Sequence, residues 1–329
     1  MKALILAGGL GTRLRPLTYS RPKHLLPIAN LPHIEHVFTL LERHGVGEVV
    51  LLTSYLAEAF ETTVERAAER GLAVRVAHER EPLGTAGALK NARDLVGDGT
   101  FLAFNGDVLT DVDLTAIVDW HRHKGAEATI VLTPVDDPSA YGVVPTEPDG
   151  RVLGFIEKPP ADLAPTNLIN AGVYVCEPRL LDRIPAGRVY SAERELWPEV
   201  VGDGTLFARG TDAYWMDIGT PEKYLQANLD ALAGRYLTSA VAHPDETLAL
   251  LAPGAEVHES AQVSSTCLGS GSRVDANATV ERAVLLPGAI VGVGATVRDS
   301  VLGERVVVGP GGVVDAAAIG DDDVVHEER

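Results

Sequence analysis

A glycine-rich loop near the start of the chain contains the first residues whose types and spacing suggest chemistry. The segment Leu6-Ala-Gly-Gly-Leu-Gly-Thr-Arg-Leu-Arg-Pro16 follows a short apolar run, and its glycines allow backbone N–H groups to approach a polyphosphate. Arg13 and Arg15 add positive charge there. The loop is not a dinucleotide fingerprint, because Leu14 stands where GxGxxG needs glycine, and it lacks the GK[ST] ending of a P-loop. It predicts phosphate binding of another type.

A second cationic segment follows this loop. Ser20-Arg-Pro-Lys-His-Leu-Leu-Pro27 places Lys23 ahead of an apolar anchor. The two segments together resemble the signature of the sugar nucleotidyltransferases, a family that includes mannose-1-phosphate guanylyltransferase and glucose-1-phosphate thymidylyltransferase. The resemblance implies an enzyme that joins a nucleoside monophosphate unit to a hexose 1-phosphate and releases pyrophosphate.

Further motifs that resemble those of the family occur in the expected order along essentially the whole chain. They are Glu81-Pro-Leu-Gly-Thr-Ala-Gly87, Asn105-Gly-Asp107, Tyr141-Gly-Val-Val144, Phe155-Ile-Glu-Lys-Pro159, Asn170-Ala-Gly-Val-Tyr174 and Trp215-Met-Asp-Ile-Gly219. The nucleotide-binding set that the resemblance implies is Leu6, Ala7, Gly8, Gly9, Gly11, Thr12, Arg13, Lys23, Glu81, Gly84 and Thr85.

The implied reaction brings two anions together. A phosphate oxygen of the sugar phosphate attacks the α-phosphorus of a nucleoside triphosphate in line with the departing pyrophosphate. Positioning and charge neutralisation are therefore the main tasks, and no protein nucleophile is needed. Mg²⁺ prefers one or two carboxylates with phosphate oxygens and water, and the resemblance assigns Asp107 and Asp217 as its ligands.

The resemblance also assigns one group of residues to the triphosphate and another to the sugar phosphate. Arg13 can hold phosphate oxygens with its planar fork and stabilise the charge that develops on the triphosphate, with Lys23 beside it. Arg13, Lys23, Asp107 and Asp217 form the predicted catalytic set. The sugar-phosphate-binding set that the resemblance implies is Gly142, Glu157, Lys158 and Asn170.

The choice of base depends on Glu81, which stands where thymidylyltransferase-like relatives carry glutamine. A carboxylate only accepts hydrogen bonds, which suits the adjacent N1–H and N2–H₂ donors of guanine, so GTP with mannose 1-phosphate is the predicted pair. Glucose-1-phosphate thymidylyl-, uridylyl- and adenylyltransferases stay open, as does a relative that uses an unusual sugar or cyclitol phosphate. A non-catalytic regulatory subunit and a bifunctional acyltransferase, for which His258 and His326 are poorly placed as bases, are less favoured.

The elements that must position these residues alternate apolar runs with amphipathic stretches. Apolar runs at 3–7, 48–53, 73–77, 100–104 and 128–133, with helical patterns between the first of them, give a βαβ rhythm. This predicts an α/β fold, a Rossmann-like (GT-A-like) mixed sheet covered by helices, with the ligand at the carboxyl ends of the strands.

The last third of the chain is different in kind. From Val263 onward aliphatic residues recur every seventeen positions, in steps of five, six and six. This pattern predicts a short hexapeptide-repeat left-handed β-helix of about four coils. Coils of the family usually run at eighteen residues, so one corner of each coil should be tightened. The predicted boundaries are a catalytic domain 1–232, a linker 233–250 that contains His243-Pro244-Asp245, a β-helix 251–320 and a solvated acidic tail 321–329.

Composition limits the partners. The 329 residues carry a formal net charge of −18, which argues against general affinity for nucleic acid or an anionic membrane and favours small-molecule substrates. Only Cys176 and Cys267 are present, which predicts ordinary reduced thiols. The N-terminal apolar run is too short for a signal peptide, so we expect a cytoplasmic protein. The outer faces of a β-helix predict a homo-oligomer.

Overall fold

The computed structural model describes residues 1–54, 56–79, 81–241 and 247–326, and the chain packs as two units. The sheet unit comprises Met1–Gly9 and Val37–Trp215, and the β-helix unit comprises Leu10–His36 and Met216–Arg329. The central part of the predicted linker, with His243-Pro244-Asp245, lies outside the described residues. The predicted boundaries of the catalytic domain and the linker stay a prediction.

The strands and helices before residue 233 follow the predicted alternation. The strands are β1 (Lys2–Leu6), β2 (Pro27–Ile28), β3 (Leu31–Pro32), β4 (Glu48–Thr53), β5 (Ala73–His78), β6 (Phe101–Asn105), β7 (Val108–Thr110), β8 (Ala128–Pro134), β9 (Gly142–Val143), β10 (Ile156–Glu157), β11 (Leu168–Cys176), β12 (Leu206–Gly210) and β13 (Trp215–Asp217). The α-helices are α1 (His33–Arg43), α2 (Glu61–Glu69), α3 (Gly84–Asn91), α4 (Arg93–Val96), α5 (Leu114–Lys124), α6 (Trp197–Gly202) and α7 (Pro221–Leu232). No helix in the described ranges has the length and apolar character to cross a bilayer.

The sheet unit is built on one mixed sheet. Its parallel part has the order β5-β4-β1-β6, and β11 runs antiparallel to β6 on the far side. Strand β8 pairs antiparallel with β11 and parallel with β12, while the short β9 and β10 form an antiparallel edge. The carboxyl ends of β1, β4 and β6 lie at one edge because these strands are parallel. The predicted mixed α/β sheet is confirmed.

Local sequence signals fix the helix ends. The side chain of Asp113 caps α5 by accepting the N–H of Ala116 at 3.0 Å, and α5 ends at Gly125, whose φ of 60° is left-handed. Thr220 caps α7 in the same way, and Pro221 follows at the first helical position. These caps set where α7 begins, which matters for the site below.

The C-terminal strands stack as coils. They are β14 (Ala249–Leu251), β15 (Glu256–Val257), β16 (Gln262–Leu268), β17 (Arg273–Val274), β18 (Thr279–Leu285), β19 (Ile290–Val291), β20 (Thr296–Arg298), β21 (Val301–Leu302), β22 (Val307–Val308), β23 (Val313–Asp315), β24 (Ala318–Ile319) and β25 (Val324–Val325). All neighbouring strands are parallel, and each pairs with residues seventeen positions on, as Val263 does with Val280. The predicted hexapeptide β-helix is confirmed.

Left-handed residues mark the corners of the coils. Positive φ angles recur at intervals of six, six and five residues. The three corner series are Leu248, Ser265, Arg282, Asp299 and Ala316; Gly254, Gly271, Gly288, Arg305 and Asp322; and Asn277, Gly294 and Gly311. One side of each coil is therefore one residue shorter than the others, which is the shortening that the seventeen-residue spacing predicts.

The β-helix continues into the segment predicted as a solvated tail. Val325 in β25 pairs with Val308, seventeen residues earlier, and is 1% exposed. The prediction of a solvated tail is therefore wrong for residues 321–326. The seventeen-residue step that relates Val291 to Val308 also relates Val308 to Val325, so the stack of aliphatic residues includes Val325. Residues 327–329 lie outside the described residues.

Candidate active site

The first part of the glycine-rich loop lies at the carboxyl end of β1 in the sheet unit. The N–H of Ala7 donates to the carbonyl of Leu52 at 2.8 Å, so the chain continues beside β4 after β1 ends. Ser54 Oγ donates to the carbonyl of Gly8 at 2.7 Å, and a Cβ at position 8 would lie only 2.8 Å from that oxygen. A side chain at position 8 would therefore displace the Ser54 hydroxyl from this hydrogen bond.

A cavity of about 210 Å³ opens beside this turn. Its lining residues are Leu6, Gly8, Gly9, Leu52, Ser54, Glu79, Pro82, Gly84, Thr85 and Ala88. Five of them belong to the nucleotide-binding set predicted from the sequence: Leu6, Gly8, Gly9, Gly84 and Thr85. The structure brings them together although Leu6 and Thr85 are 79 positions apart in the sequence. The cavity occupies the carboxyl edge of the sheet, where such sheets bind ligands.

The carboxylate in this cavity belongs to Glu79, which the sequence prediction missed. Glu79 is 6% exposed, and its Oε2 accepts the N–H of Leu83 at 3.2 Å. Burial raises the pKa of its carboxyl group above the usual range. Glu81 is exposed and does not line the cavity. The available signal was the end of β5 at His78, which places Glu79 as the first residue after a strand of the parallel sheet.

A second segment supports the loop that carries Gly84 and Thr85. The carbonyl of Tyr190 accepts N–H groups from Ala86 and Gly87, both at 3.0 Å. A Cβ on Gly84, whose φ is 74°, would lie 2.8 Å from that same carbonyl oxygen. Tyr190 thus requires glycine at position 84 and fixes the start of α3.

The hydroxyl of Thr85 is engaged on the same side. It donates to Glu193 Oε2 at 2.8 Å and accepts the N–H of Ala192 at 2.8 Å. Ser191 Oγ also donates to Glu193 Oε2, at 2.7 Å. Glu193 lies in a π-helical turn, Ala192–Leu196, and such turns are often found at functional sites. The sequence motifs did not indicate this turn.

Three residues of the predicted sugar set meet at β9 and β10: Gly142 and Glu157 lie on these strands, and Lys158 directly follows β10. Glu157 is paired with Gly142 across the two strands, and a Cβ at Gly142 would lie 2.5 Å from the ring of Phe155 and 3.3 Å from Glu157 Oε2. Lys158 has a φ of 50°, and its N–H donates to the carbonyl of Tyr141 at 2.9 Å. Its Nζ lies 3.1 Å from Glu157 Oε1. An acceptor and a cation are thus presented side by side.

Asn170 joins this group through an irregularity in β11. The pairing of β11 with β8 shifts between Asn170 and Tyr174, and Gly172 between them has a φ of 72°. Asn170 Oδ1 accepts the N–H of Gly172 at 2.9 Å, and its Nδ2 donates to the hydroxyl of Tyr174 at 2.7 Å. The preceding residue, Ile169, pairs with Val143 of β9, so Gly142, Glu157 and Asn170 lie on adjoining strands and Lys158 directly follows one of them.

The second part of the glycine-rich loop belongs to the β-helix unit. Gly11 has a φ of 61°, and its carbonyl accepts the hydroxyl of Thr18 at 2.8 Å. A Cβ at Gly11 would lie 3.4 Å from the Cβ of Lys23. Thr12 and Arg13 follow in a single 3-10 turn, Thr12–Leu14. The predicted residues Gly11, Thr12, Arg13 and Lys23 are therefore neighbours in the fold as well.

Asp217 and Arg13 come together at Gly219. A Cβ at position 219 would lie 3.0 Å from Arg13 Nη2 and 3.1 Å from Asp217 Oδ2. The Nζ of Lys223 forms an ion pair with Asp217 Oδ1. Sequence motifs did not identify Lys223, although the cap at Thr220 places it in the first turn of α7. The β-helix unit thus places Arg13 and Lys223 near the carboxylate of Asp217.

Carboxylate oxygens suit Mg²⁺, and the predicted ligands offer them in each unit. Asp107 is partly exposed in the turn that follows β6, and Asp217 retains 14% side-chain exposure. Within the described ranges there is no group of three or more His, Cys, Asp or Glu side chains that could hold a metal. Mg²⁺ completes its shell with phosphate oxygens and water, so one or two such carboxylates fit the ion.

The residues considered for other chemistry have ordinary surroundings. His258 is exposed, with its Nδ1 at 2.9 Å from Ser260 Oγ, and His326 is also exposed. Cys176 and Cys267 are both buried and outside any disulfide. Burial raises the pKa of each thiol, that of Cys267 to about 12.

A cavity at the carboxyl edge of a mixed sheet, lined in part by Gly8 and Gly9 of a glycine-rich turn, is the class of site found in α/β enzymes that bind nucleotides. The chain belongs to the nucleotidyl transferase family, whose sequence model matches residues 2–234. A second model, the GlmU-like C-terminal hexapeptide, matches residues 241–327. The predicted family and enzyme class are confirmed.

Several curated relatives carry one name. The chain is 41% identical to mannose-1-phosphate guanylyltransferase of Mycobacterium tuberculosis (strain ATCC 25618 / H37Rv), over 81% of this chain and 72% of that protein. It is 41% identical to probable mannose-1-phosphate guanylyltransferase 3 of Oryza sativa subsp. japonica, over 82% and 74%. It is 43% identical to the catalytic subunit beta of the Xenopus tropicalis enzyme, of which it spans 63%.

Solved structures share the fold of 69% of this chain. HddC from Yersinia pseudotuberculosis, complexed with GMP-PN, is 31% identical with a TM-score of 0.60, over 69% of this chain and 97% of that one. A putative glucose-1-phosphate thymidylyltransferase from Bacillus anthracis, complexed with sucrose, is 25% identical with a TM-score of 0.63, over 69% and 94%.

Proposed function

We propose that this chain transfers a guanylyl unit from GTP to a hexose 1-phosphate, with mannose 1-phosphate as the preferred acceptor, and releases pyrophosphate. The observation that carries this proposal is the buried carboxylate of Glu79 in a cavity that also contains Gly8, Gly9, Gly84 and Thr85. The names of the curated relatives support the same base and sugar.

Base selection follows from hydrogen-bond complementarity. Guanine presents two adjacent donors, N1–H and N2–H₂, to a carboxylate that can only accept. Adenine places an acceptor, N1, at the equivalent edge, and uracil and thymine offer one N–H between two carbonyl oxygens. A buried group that finds no partner costs free energy, so Glu79 discriminates against these bases.

The sugar phosphate is assigned to the group on β9, β10 and β11. Lys158 binds the phosphate, and Glu157 accepts a hydrogen bond from a sugar hydroxyl. The amide nitrogen of Asn170 carries two hydrogens, and the Tyr174 hydroxyl takes one, so the other can reach a sugar oxygen. The site needs both hydrogen-bond acceptors and donors, because a sugar hydroxyl both donates and accepts hydrogen bonds.

The chemical step requires charge neutralisation around the triphosphate. Mg²⁺, when bound, would offset phosphate charge, and Asp107 and Asp217 each offer a carboxylate that suits it. Arg13 is positioned beside Asp217 at Gly219, and its planar fork can hold two phosphate oxygens. Lys23, packed against Gly11, adds a second cation at the loop. These residues hold the triphosphate for in-line attack, and no protein nucleophile takes part.

The test is pyrophosphate release with magnesium, crossing GTP, dTTP, UTP and ATP against mannose 1-phosphate and glucose 1-phosphate. Dominant turnover of GTP with mannose 1-phosphate is the expected result. Preference for another pair would move the protein to a sister activity of the same mechanism. Nucleotide binding without turnover on a broad panel of sugar phosphates would favour a regulatory role instead.

Assembly and location are part of the same proposal. The outer faces of the β-helix are expected to form a homo-oligomer, and the cytoplasm is the expected compartment. A solution mass equal to that of one chain, 34.8 kDa, at working concentration would contradict the oligomer.

A further inference from the structure

The last coils of the β-helix contact the segment that follows the glycine-rich loop. Arg21 Nη2 lies 2.7 Å from Asp321 Oδ2 and 3.0 Å from Glu304 Oε1. Ser20 Oγ donates to Asp321 Oδ2 at 2.5 Å. The side chains of Arg21 and Asp321 are each only 13% exposed, so this ion pair is largely shielded from solvent. A shielded, multiply hydrogen-bonded pair has a defined geometry, unlike an exposed one.

Two further features fix this contact. The other oxygen of Asp321 accepts the N–H of Glu304 at 2.8 Å, which holds the carboxylate in place within the coils. A Cβ on Gly320 would lie 3.2 Å from the Cβ of Pro16, so the coil backbone packs directly against that proline. Pro16 stands three residues after Arg13 and Arg21 two residues before Lys23. The β-helix therefore contacts the chain close to both cations.

The same segment is held at its other end. Asn30 Nδ2 donates to the carbonyls of Leu268 and Leu250, at 3.1 and 3.3 Å, in the first coils. The N–H of Ala29 donates to Asn228 Oδ1 at 2.8 Å, in α7. The chain between Pro16 and Asn30 is therefore bound at several points along its length.

We propose that the end of the β-helix positions the phosphate-binding cations, and that Arg21 and Asp321 are the positioning residues. This inference rests on the proposed function, in which Arg13 and Lys23 hold the triphosphate. Phosphate transfer depends on placement to within about 1 Å, so a cation whose loop is less firmly held contributes less to the reaction. The β-helix thus serves nucleotide transfer in addition to any role in assembly.

The test compares Asp321→Asn with Asp322→Asn in the full-length chain. Asp322 forms an exposed ion pair with Arg305 in the same two coils, at 2.6 Å, which makes it a matched control. Asp321→Asn should lower kcat about tenfold and raise the KM for GTP, with the KM for the sugar phosphate unchanged within about twofold. Asp322→Asn should leave kcat, the KM for GTP and the KM for the sugar phosphate near their wild-type values. Equal behaviour of the two variants would overturn the proposal.

Hydrogen exchange provides a readout that does not depend on turnover. Backbone amides of Leu14, Leu17, Leu25 and Leu26 are hydrogen-bonded within the loop. Peptides covering residues 10–26, which belong to the β-helix unit, should exchange faster in Asp321→Asn than in Asp322→Asn, and exchange in the sheet unit should be unchanged. Faster exchange throughout the chain would mean a general loss of stability and would contradict a positioning role.

A double-mutant cycle completes the design. Arg21→Met should reproduce the effect of Asp321→Asn, and the double variant should be no slower than either single variant, because each substitution removes the same ion pair between Arg21 and Asp321. Additive losses would overturn the pairing. If the wild-type chain turns over no pair of substrates, the proposed function fails, while the exchange comparison still decides whether the β-helix holds the loop.

Discussion

Two glutamates separated by one residue illustrate how far residue types alone can assign a site. The motif favours Glu81 because it begins the run Glu81-Pro-Leu-Gly-Thr-Ala-Gly87, but the buried carboxylate in the cavity is that of Glu79. A motif fixes the neighbourhood to within a few residues. Which side chain points inward depends on where β5 ends, and a boundary of that kind is the least reliable part of a sequence prediction.

The pair gives a direct prediction. Glu79→Gln should lower kcat/KM for GTP by about a hundredfold, because the amide presents a donor to the donor edge of guanine. Glu81→Gln should change it by about twofold or less, since that side chain is exposed. Steady-state pyrophosphate release with each nucleotide measures both. The opposite ranking would make Glu81 the base-reading residue, as the sequence predicts.

The carboxylate at 217 gives a second prediction. Asp217→Asn should reduce turnover by about a hundredfold or more, because an amide is a poor substitute for a carboxylate ligand of Mg²⁺. Asp212→Asn is a suitable control, as Asp212 is exposed a few residues earlier. Magnesium titrations of pyrophosphate release compare the two. Turnover close to wild type in Asp217→Asn would remove this residue from the metal site.

Residues outside any motif were not predictable at this scale. Ser54 and Glu193 have no distinctive spacing, and their roles depend on contacts made across the fold, Ser54 with Gly8 and Glu193 with Thr85. Lys223 lies only six residues after Asp217, but it stands outside the motif that ends at Gly219. The predicted residues were found because short motifs keep their members adjacent. Side chains that act from a distant segment carry no such local signal.

At the scale of elements, periodicity was the informative property. The seventeen-residue comb predicts which aliphatic residues stack, and the observed register repeats it, as in the column Val274, Val291 and Val308. The end of the β-helix was missed because the acidic run Asp321-Asp-Asp323 resembles a solvated terminus. Its middle residue, Asp322, instead occupies a left-handed corner, while Asp321 binds Arg21.

The left-handed corners predict how the coils respond to substitution. Ala316 is exposed with a φ of 48°, a conformation that costs a residue with a Cβ about 1 kcal/mol and glycine nothing. Ala316→Gly should therefore leave the midpoint of thermal unfolding unchanged or raise it by a few degrees. Ala317→Gly, at the next position and outside the left-handed region, should lower it. A lower midpoint for Ala316→Gly than for Ala317→Gly would contradict this account of the corners.

A buried polar network joins several elements of the sheet unit at the edge opposite the cavity. Arg183 donates to both oxygens of Glu127, at 2.6 and 2.8 Å, and this pairing holds the pKa of the Glu127 carboxyl below its usual value. His121 on α5 is hydrogen-bonded to Thr129 at 2.8 Å and to Glu177 at 3.1 Å. The network therefore links α5 with β8 and with the end of β11, and its charges make the unit sensitive to pH.

For the whole molecule, the direction of that sensitivity follows from the shifted groups. Burial lowers the pKa of His36, His44 and His121 below 6.5, so in mild acid the unfolded chain binds protons that the folded chain does not. Glu127 acts in the same direction at lower pH, since its stabilisation is lost as pH falls through its folded pKa. Glu79, whose pKa is raised by burial, opposes this trend. Stability rises with pH wherever the unfolded state holds more protons, so acid should destabilise the chain.

The histidine contribution can be isolated. The midpoint of thermal unfolding should fall between pH 7.5 and pH 5.5 in the wild type, because the window begins near the unfolded pKa of about 6.5. His121→Gln should flatten this dependence, since glutamine does not titrate, even if the variant is less stable at pH 7.5. His123→Asn, which changes an exposed histidine on the same helix, should keep the wild-type slope. If His121→Gln retained the full slope, the pH sensitivity would have to arise from groups other than the buried network, with His36 as the next residue to substitute.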